Sequence, residues 1–153
     1  MARVAVRVAV VVSRYNELVT TKLLDGAQHC LRDKGLSDDH VDVFWVPGAF
    51  ELPVAAAAAA ATGRYGAIVA LGCVIRGETP HFEYVAGEAA RGLGNVALAH
   101  RIAVGFGVLT TDDQAQALAR AGGAAGNKGY EAAEAALQTA DVLARLARAA
   151  PRD

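Results

Sequence analysis

A chain of 153 residues, 54% hydrophobic and 20% charged, has the length of one domain and can bury a core without disulfide or metal staples. Its 15 Lys+Arg against 16 Asp+Glu leave a net charge of −1, with no lysine run and no basic face interleaved with aromatics, which argues against nucleic acid as a partner. No apolar stretch approaches the ~20 residues of a membrane span, and the isolated cysteines, Cys30 and Cys73, form no CxxC pair, which argues against a disulfide scaffold or thiolate metal site and fits a reducing cytoplasm.

The opening "MARVAVRVAVVVS" is basic and apolar like a secretion signal, but Arg7 interrupts it, no A-x-A cleavage site follows, and it runs directly into "RYNE". Residues 4–12 are therefore expected as a first strand, β-branched and buried on both faces. Residues 17–34 place Leu18, Leu23, Leu24, Ala27 and Leu31 on one face of an amphipathic helix that stops at Gly35. "VDVFWV" at 41–46 is a second strand, ended by Pro47-Gly48. "FELPVAAAAAAATG" then reads as a helix. Its alanine run at 55–61 combines high helix propensity with side chains small enough to let it lie close to a sheet or a neighbouring subunit.

"AIVALGCVI" at 67–75 is a third strand, followed by a helix over 80–100 in which Gly87, Gly92 and Gly94 mark weak points or close packing. "IAVGFGVLT" at 102–110 is the fourth strand, and 112–122 is a short helix with aspartates at its positive end. "GGAAGNKG" reads as a loop and 130–150 as a long closing helix. No internal repeat or linker divides the chain, so residues 1–153 are expected to form a single domain.

Strands alternating with helices predict an α/β fold: a four-stranded parallel sheet with helices on both faces and right-handed crossovers. In such sheets ligands bind outside the carboxyl ends of the strands. The loops at that end are "SRYN", "PGAFE", "CVIRGET" and the segment around "GFGVLTTDD", and they hold most of the polar and aromatic candidates.

In "RGETPHFEY", Gly77 allows close backbone approach, Thr79 is expected as the helix N-cap, and Pro80 suits the first helical position. Free N–H groups at such an end attract an anion such as phosphate, though the same residues also describe an ordinary capped helix. His81 in the first turn is placed to accept a proton, or is an exposed bystander. Arg120, closing a short helix, can clamp a phosphate with two parallel N–H bonds or stabilise its own helix end. Lys128 in "GNKG" is either a positioned cation or a loop lysine.

Tyr15 can stack on a planar ring or cover the sheet edge. Glu51 can accept hydrogen bonds from a polyol or sit as a favourable charge in a first helical turn. Phe106, expected at a strand end between two glycines, is pocket wall or core. Cys73 reads as a small buried residue rather than a nucleophile. His29, His40 and His100 share no spacing, so no metal site is expected. The absence of GxxxxGK[ST], and of GxGxxG after the first strand, argues against ATP and NAD.

In their order and spacing, "SRYN", "VPGAFELP", "LGCVIRGETPHFEYV", "GFGVLTT" and "ARAG…GNKG" strongly resemble lumazine synthase, over nearly the whole chain from about Val8 to the closing helix. "VIRGETPHFEYV" is the most specific block. The resemblance implies a three-layer flavodoxin-like fold and the condensation of 5-amino-6-(D-ribitylamino)uracil with 3,4-dihydroxy-2-butanone 4-phosphate. The product is 6,7-dimethyl-8-ribityllumazine, with release of phosphate and water and without a metal or organic cofactor.

The resemblance further implies that Tyr15 stacks on the pyrimidine ring, that Ala49, Phe50 and Glu51 line the ribityl site, and that Cys73, Val74 and Ile75 form the pyrimidine edge. Glu78 and Thr79 would hold the phosphate through backbone N–H groups, with Arg120 as counter-charge, and His81 would transfer protons. Phe106, Arg120 and Lys128 would come from an adjacent subunit. A homo-oligomer is thereby implied, with a pentamer as minimum unit and riboflavin synthase as a further partner.

Some features depart from the family pattern. Tyr15 stands where the family more often carries Phe or Trp, which keeps the stacking but adds a hydroxyl that needs a partner or water. The lead before the first strand is short, whereas a longer lead adds a strand to the neighbour's sheet in larger assemblies. The compact "AGGAAGNKG" loop resembles that of shell-forming members, so the two cues point to different assemblies among pentamer, decamer and sixty-subunit shell. Two other readings share the fold: a flavin- or lumazine-binding module without useful turnover, and a mainly structural cage. A flavodoxin-type electron carrier is disfavoured because "SRYNE" is not a phosphate-cradling loop.

Overall fold

Four runs rich in β-branched and small apolar residues pair side by side, and they explain the architecture: β1 (Val8–Ser13), β2 (Val41–Val46), β3 (Ala67–Ile75) and β4 (Ala103–Thr111). In this computed structural model, which describes residues 6–149, they form one all-parallel sheet in the order β2-β1-β3-β4. Val8 lies opposite both Val41 and Ala67, and Ala67 opposite Ala103, so alternate residues of every strand face the same layer.

Val8, Val10 and Val12 of β1, with Val69, Leu71 and Cys73 of β3, pack against α1 (Glu17–Asp33) and α5 (Lys128–Arg148). Ala9, Val11, Ile68, Ala70 and Val74 pack against α2 (Leu52–Ala61) and α3 (His81–His100). The three layers match the flavodoxin-like expectation. Each fully buried Val, Leu or Ile contributes ~1.5–3 kcal/mol, and β1 and β3 are where most of them sit. Connections from β1 run to β2 on one side, and the chain then returns to β3 on the other, so the order reverses between β1 and β3. Ligand crevices form at such a switch point.

Local differences from the sequence expectations have physical causes. The first strand starts at Val8 rather than at residue 4; Val6 and Arg7 precede the ladder, and residues 4 and 5 lie outside the described residues, as does Ala150. Leu18 is exposed, and Val19 takes the inward place on α1. Where a plain loop is expected after the short helix α4 (Gln114–Ala119), a hairpin forms from β5 (Ala121–Gly123) and β6 (Gly126–Asn127). Gly122 and Gly126 supply its positive φ angles of 106° and 86°. The closing helix starts at Lys128, not 130, because the Asn127 carboxamide oxygen accepts hydrogen bonds from the N–H groups of Gly129 (2.8 Å) and Tyr130 (3.1 Å). Among the described residues no helix is long and apolar enough to cross a membrane.

Candidate active site

The loops at the carboxyl ends of β1, β2 and β3 are tied to one another by their backbones. Beyond the β1–β2 ladder, the N–H of Arg14 donates to the carbonyl of Val46 (2.8 Å) and that of Tyr15 to the carbonyl of Pro47 (2.9 Å). This carries Tyr15 out past the sheet, where its ring is 73% exposed. Asn16 follows in the left-handed region (φ 65°), which asparagine tolerates better than most residues. Its side-chain amide donates to the carbonyl of Cys73 at 2.9 Å, linking the first loop to the end of β3 across the switch point. In the sequence, an Asn just before Glu17 reads only as an ordinary helix start. Its use on Cys73 becomes visible when β1 and β3 are side by side.

After β2, Pro47-Gly48 leads into a single 3-10 turn, Ala49–Glu51, that feeds α2. The Glu51 carboxylate folds back to accept the N–H of Gly48 at 2.9 Å, so one of its oxygens closes the turn. Ala49 is buried, whereas Phe50 stands out exposed. A Cβ on Gly72 would lie 3.1 Å from the Ser13 hydroxyl and 3.6 Å from the Ala49 Cβ, so the bare backbone of β3 lets these loops close together. The Ser13 hydroxyl is buried and, among the described residues, has no hydrogen-bond partner.

At the end of β3, Cys73 and Val74 are buried and Ile75 half-buried. They alternate between the layers, with Cys73 facing α1 and α5 and Val74 facing α2 and α3. Burial pushes the Cys73 thiol up to about 11. It is a neutral thiol near pH 7, in line with its reading as a packing residue.

The segment 76–80 is exposed. Helix α3 begins at His81 with Pro80 in the N-cap position, so both positions lie one residue later than the sequence suggests. Among the described residues Thr79 makes no capping bond, and the first turn is closed instead by the N–H of Glu83 donating to the Pro80 carbonyl at 3.0 Å. Among the described residues no side chain makes a capping hydrogen bond at this helix end, which leaves N–H groups and the positive dipole for an anion. His81 is exposed, and among the described residues no hydrogen bond or ion pair engages its ring. Arg76 beside it is heavily engaged: Nε donates to Asp112 (3.0 Å), Nη1 lies 3.7 Å from Glu83, and the guanidinium sits 4.7 Å over the Phe82 ring.

Other candidates are not brought to this cluster within one chain. Arg120 ends α4, where its Nη1 donates to the carbonyl of Gln116 (3.0 Å), and its own carbonyl accepts the N–H of Lys128 (2.8 Å). Lys128 opens α5. Among the described residues no hydrogen bond or ion pair joins either cation to Glu78, Thr79 or His81.

Phe106 lies in the middle of β4, opposite Ala70, and not at a strand end. The glycines that flank it serve α5 instead. A Cβ on Gly105 would strike the Ala132 carbonyl, and one on Gly107 would come within 2.6 Å of Leu71. Phe106 itself turns toward α3 at the open edge of the sheet, where it lines a shallow apolar groove with Ala90, Leu93, Gly94, Ala97 and Val104. Among the described residues no three His, Cys, Asp or Glu side chains converge as metal ligands.

A parallel α/β sheet with an uncapped helix N-terminus, an exposed imidazole and an exposed aromatic ring at its carboxyl edge has the layout of a candidate small-molecule site at the switch point. The profile of the 6,7-dimethyl-8-ribityllumazine synthase family matches residues 5–144. A 6,7-dimethyl-8-ribityllumazine synthase of Anaeromyxobacter dehalogenans (strain 2CP-C) is 56% identical over 146 residues, 95% of this chain and 90% of its own. Another, from Anaeromyxobacter sp. (strain K), is 55% identical over the same shares. The chain belongs to the 6,7-dimethyl-8-ribityllumazine synthase family.

Proposed function

We propose that this chain catalyses the condensation of 5-amino-6-(D-ribitylamino)uracil with 3,4-dihydroxy-2-butanone 4-phosphate to 6,7-dimethyl-8-ribityllumazine, a step of riboflavin biosynthesis, with His81 moving protons. The observation that carries the site assignment is His81 at the open N-terminus of α3, directly beyond the strand end formed by Cys73, Val74 and Ile75. The amine adds to the ketone and water leaves, phosphate is eliminated, the resulting enol tautomerises, and the ring closes with loss of a second water. No electron is gained or lost overall, so the reading calls for no oxidant or reductant. Each step moves a proton, and a positioned imidazole typically contributes ~10²–10⁴-fold. Holding the two substrates together supplies the larger share.

In this reading Tyr15 stacks on the pyrimidine, while Ala49, Phe50 and Glu51 face the ribityl chain. The free N–H groups around Glu78 and Thr79 take the phosphate. Arg120, as counter-charge, Lys128 and Phe106 come from an adjacent subunit, which makes a homo-oligomer, at least a pentamer, the working unit. Support for this comes from the lack, among the described residues, of any hydrogen bond or ion pair between those cations and His81, and from the open position of Phe106 at the sheet edge. The enzyme works in the cytoplasm, and riboflavin synthase, which consumes the product, is a candidate partner.

Mixing the protein with both substrates tests the activity through the absorbance and fluorescence of the lumazine. No rate above the spontaneous reaction sinks the proposal, and tight flavin binding without turnover would favour a storage module instead. Particle mass by light scattering tests the shared site, because a monomer with full activity contradicts it.

A further inference from the structure

Resting on that reading of the phosphate loop, we propose that Arg76 is a positioning residue: it splints the Gly77–Pro80 loop and the start of α3 to the end of β4, and thereby sets the anion site without touching the anion. The loop has little else to hold it. Glu78 and Thr79 are exposed, no side chain caps α3, and the Glu83 N–H to Pro80 carbonyl bond is the main tie inside the turn.

Arg76 reaches in both directions from the loop's first position. Backward, its N–H donates to the carbonyl of Thr111 at 2.8 Å, one step past the β3–β4 ladder, and its Nε donates to the Asp112 carboxylate at 3.0 Å. Forward, its Nη1 lies 3.7 Å from the Glu83 carboxylate, and the guanidinium carbon lies 4.7 Å from the centroid of the Phe82 ring. Phe82 and Glu83 are the second and third residues of α3, directly after His81.

Each ion pair alone is weak, since these side chains are half to two-thirds exposed. The three contacts share one rigid fork, so the cost of fixing the guanidinium is spread over all of them, and only a planar guanidinium can stack and pair at once. Two carboxylates already face this cation, which leaves it poorly placed to serve as the phosphate's counter-charge. Its effect on the anion comes from holding the helix end at a fixed distance from the strand end.

The test combines kinetics with hydrogen exchange on the intact protein. Arg76→Met keeps the stem over Phe82 and removes the charge and the fork. We expect KM for the butanone phosphate to rise about five-fold, a size that fits a small surface network. KM for the pyrimidine should stay within about two-fold, and amides at 77–83 should exchange faster while those of α1 and α5 stay unchanged. Arg76→Lys should fall between the two, because it restores the charge but not the fork. Asp112→Asn should raise the same KM, and the Arg76→Met/Asp112→Asn pair should be no worse than Arg76→Met alone.

Equal rises in both KM values, additive effects of the two substitutions, or unchanged exchange at 77–83 would each overturn the splint. Additivity would mean that Arg76 acts on the phosphate directly. If the wild type shows no turnover at all, the synthase reading fails, while the exchange measurement still decides whether Arg76 holds the loop.

Discussion

The layer of α1 and α5 and the layer of α2 and α3 cover the same sheet but are finished to different degrees. In the first, glycines mark points of close approach between the two helices. A Cβ on Gly129 would strike the Leu23 carbonyl, and one on Gly26 would strike the Asn127 side chain. Polar ties close the seam: the Asn127 amide donates to the Lys22 carbonyl (3.1 Å), the Tyr130 hydroxyl donates to Asp33 (2.9 Å), and Lys34 pairs with Glu134 (3.2 Å). In the second layer, a Cβ on Gly92 would come within 2.6 Å of Pro53, whereas Gly87 and Gly94 of the same helix look into open space. Tyr84 and Leu98 on that helix are 71% and 80% exposed. The same residue type thus has two causes. One is satisfied inside the chain, and the other leaves a surface on which a further subunit can lie. The imidazole of the candidate site begins the unfinished layer's helix.

That contrast can be broken or sharpened by substitution. The largest effect on chemistry is expected from His81→Ala, which should lower kcat by about 10²–10⁴-fold without abolishing turnover, since substrate positioning remains. Its urea midpoint should stay at the wild-type value because the side chain is exposed. A shift in that midpoint would show that the residue belongs to the packing.

Next, Gly129→Ala forces α1 and α5 apart and should cost about 3 kcal/mol of stability in urea unfolding, the upper end for overpacking. A change under about 1 kcal/mol would show that the seam is softer than its geometry. Arg120→Ala should raise KM for the butanone phosphate about 10–100-fold, as expected for loss of a charge-assisted pair, with unfolding unchanged. Equal activity would remove it from the site and sink the shared-site assignment.

A pH effect should report on both layers, since burial and the hydrogen bond to Asp42 also raise the Tyr65 hydroxyl on the α2 and α3 side, but two groups of the finished layer give it a lower and an upper part. Burial raises the Cys73 thiol to about 11, and the hydrogen bond to Asp33 raises the Tyr130 hydroxyl to about 12. Both groups are held protonated by the fold. Their contribution is complete below the unfolded values, near 9 for the thiol and 10 for the phenol, and is lost as pH climbs toward the folded ones. Thermal unfolding between pH 8 and 12 should show a falling Tm, with a slope of at most about 1.4 kcal/mol per pH unit from the thiol. Cys73→Ala should flatten the lower part of that fall. The smallest effect belongs to Gly94→Ala, which should stabilise the isolated subunit by about 0.5–1 kcal/mol. If it also lowers the particle mass, the open face is the contact face.

Much of this was legible in the residue pattern. The apolar runs at 4–12, 41–46, 67–75 and 102–110 read as strands, and those at 4–12 and 67–75 are continuous because burial on both faces demands it, whereas 41–46 lies at the sheet edge and is only half-buried. The helices between them then required a parallel sheet. The block around His81 was legible too, since a Gly-bearing loop before a helix start is a local feature. What misled was also local. Thr79 has the right chemistry for a cap and sits one residue too early for the turn that Pro80 and Glu83 close. "GFG" looked like a strand end, because its glycines answer to α5, more than twenty residues away in sequence.

Secondary structure, layer order and the side of the sheet on which a ligand would sit follow from periodicity and connectivity, which the chain carries in itself. The roles of Asn16 and Arg76, the mid-strand place of Phe106 and the separation of Arg120 and Lys128 from His81 depend on which backbone atoms lie opposite one another once β1, β3 and β4 are in register. Those pairings join residues 35 or more positions apart, such as Asn16 with Cys73 and Arg76 with Asp112, and no local spacing encodes them.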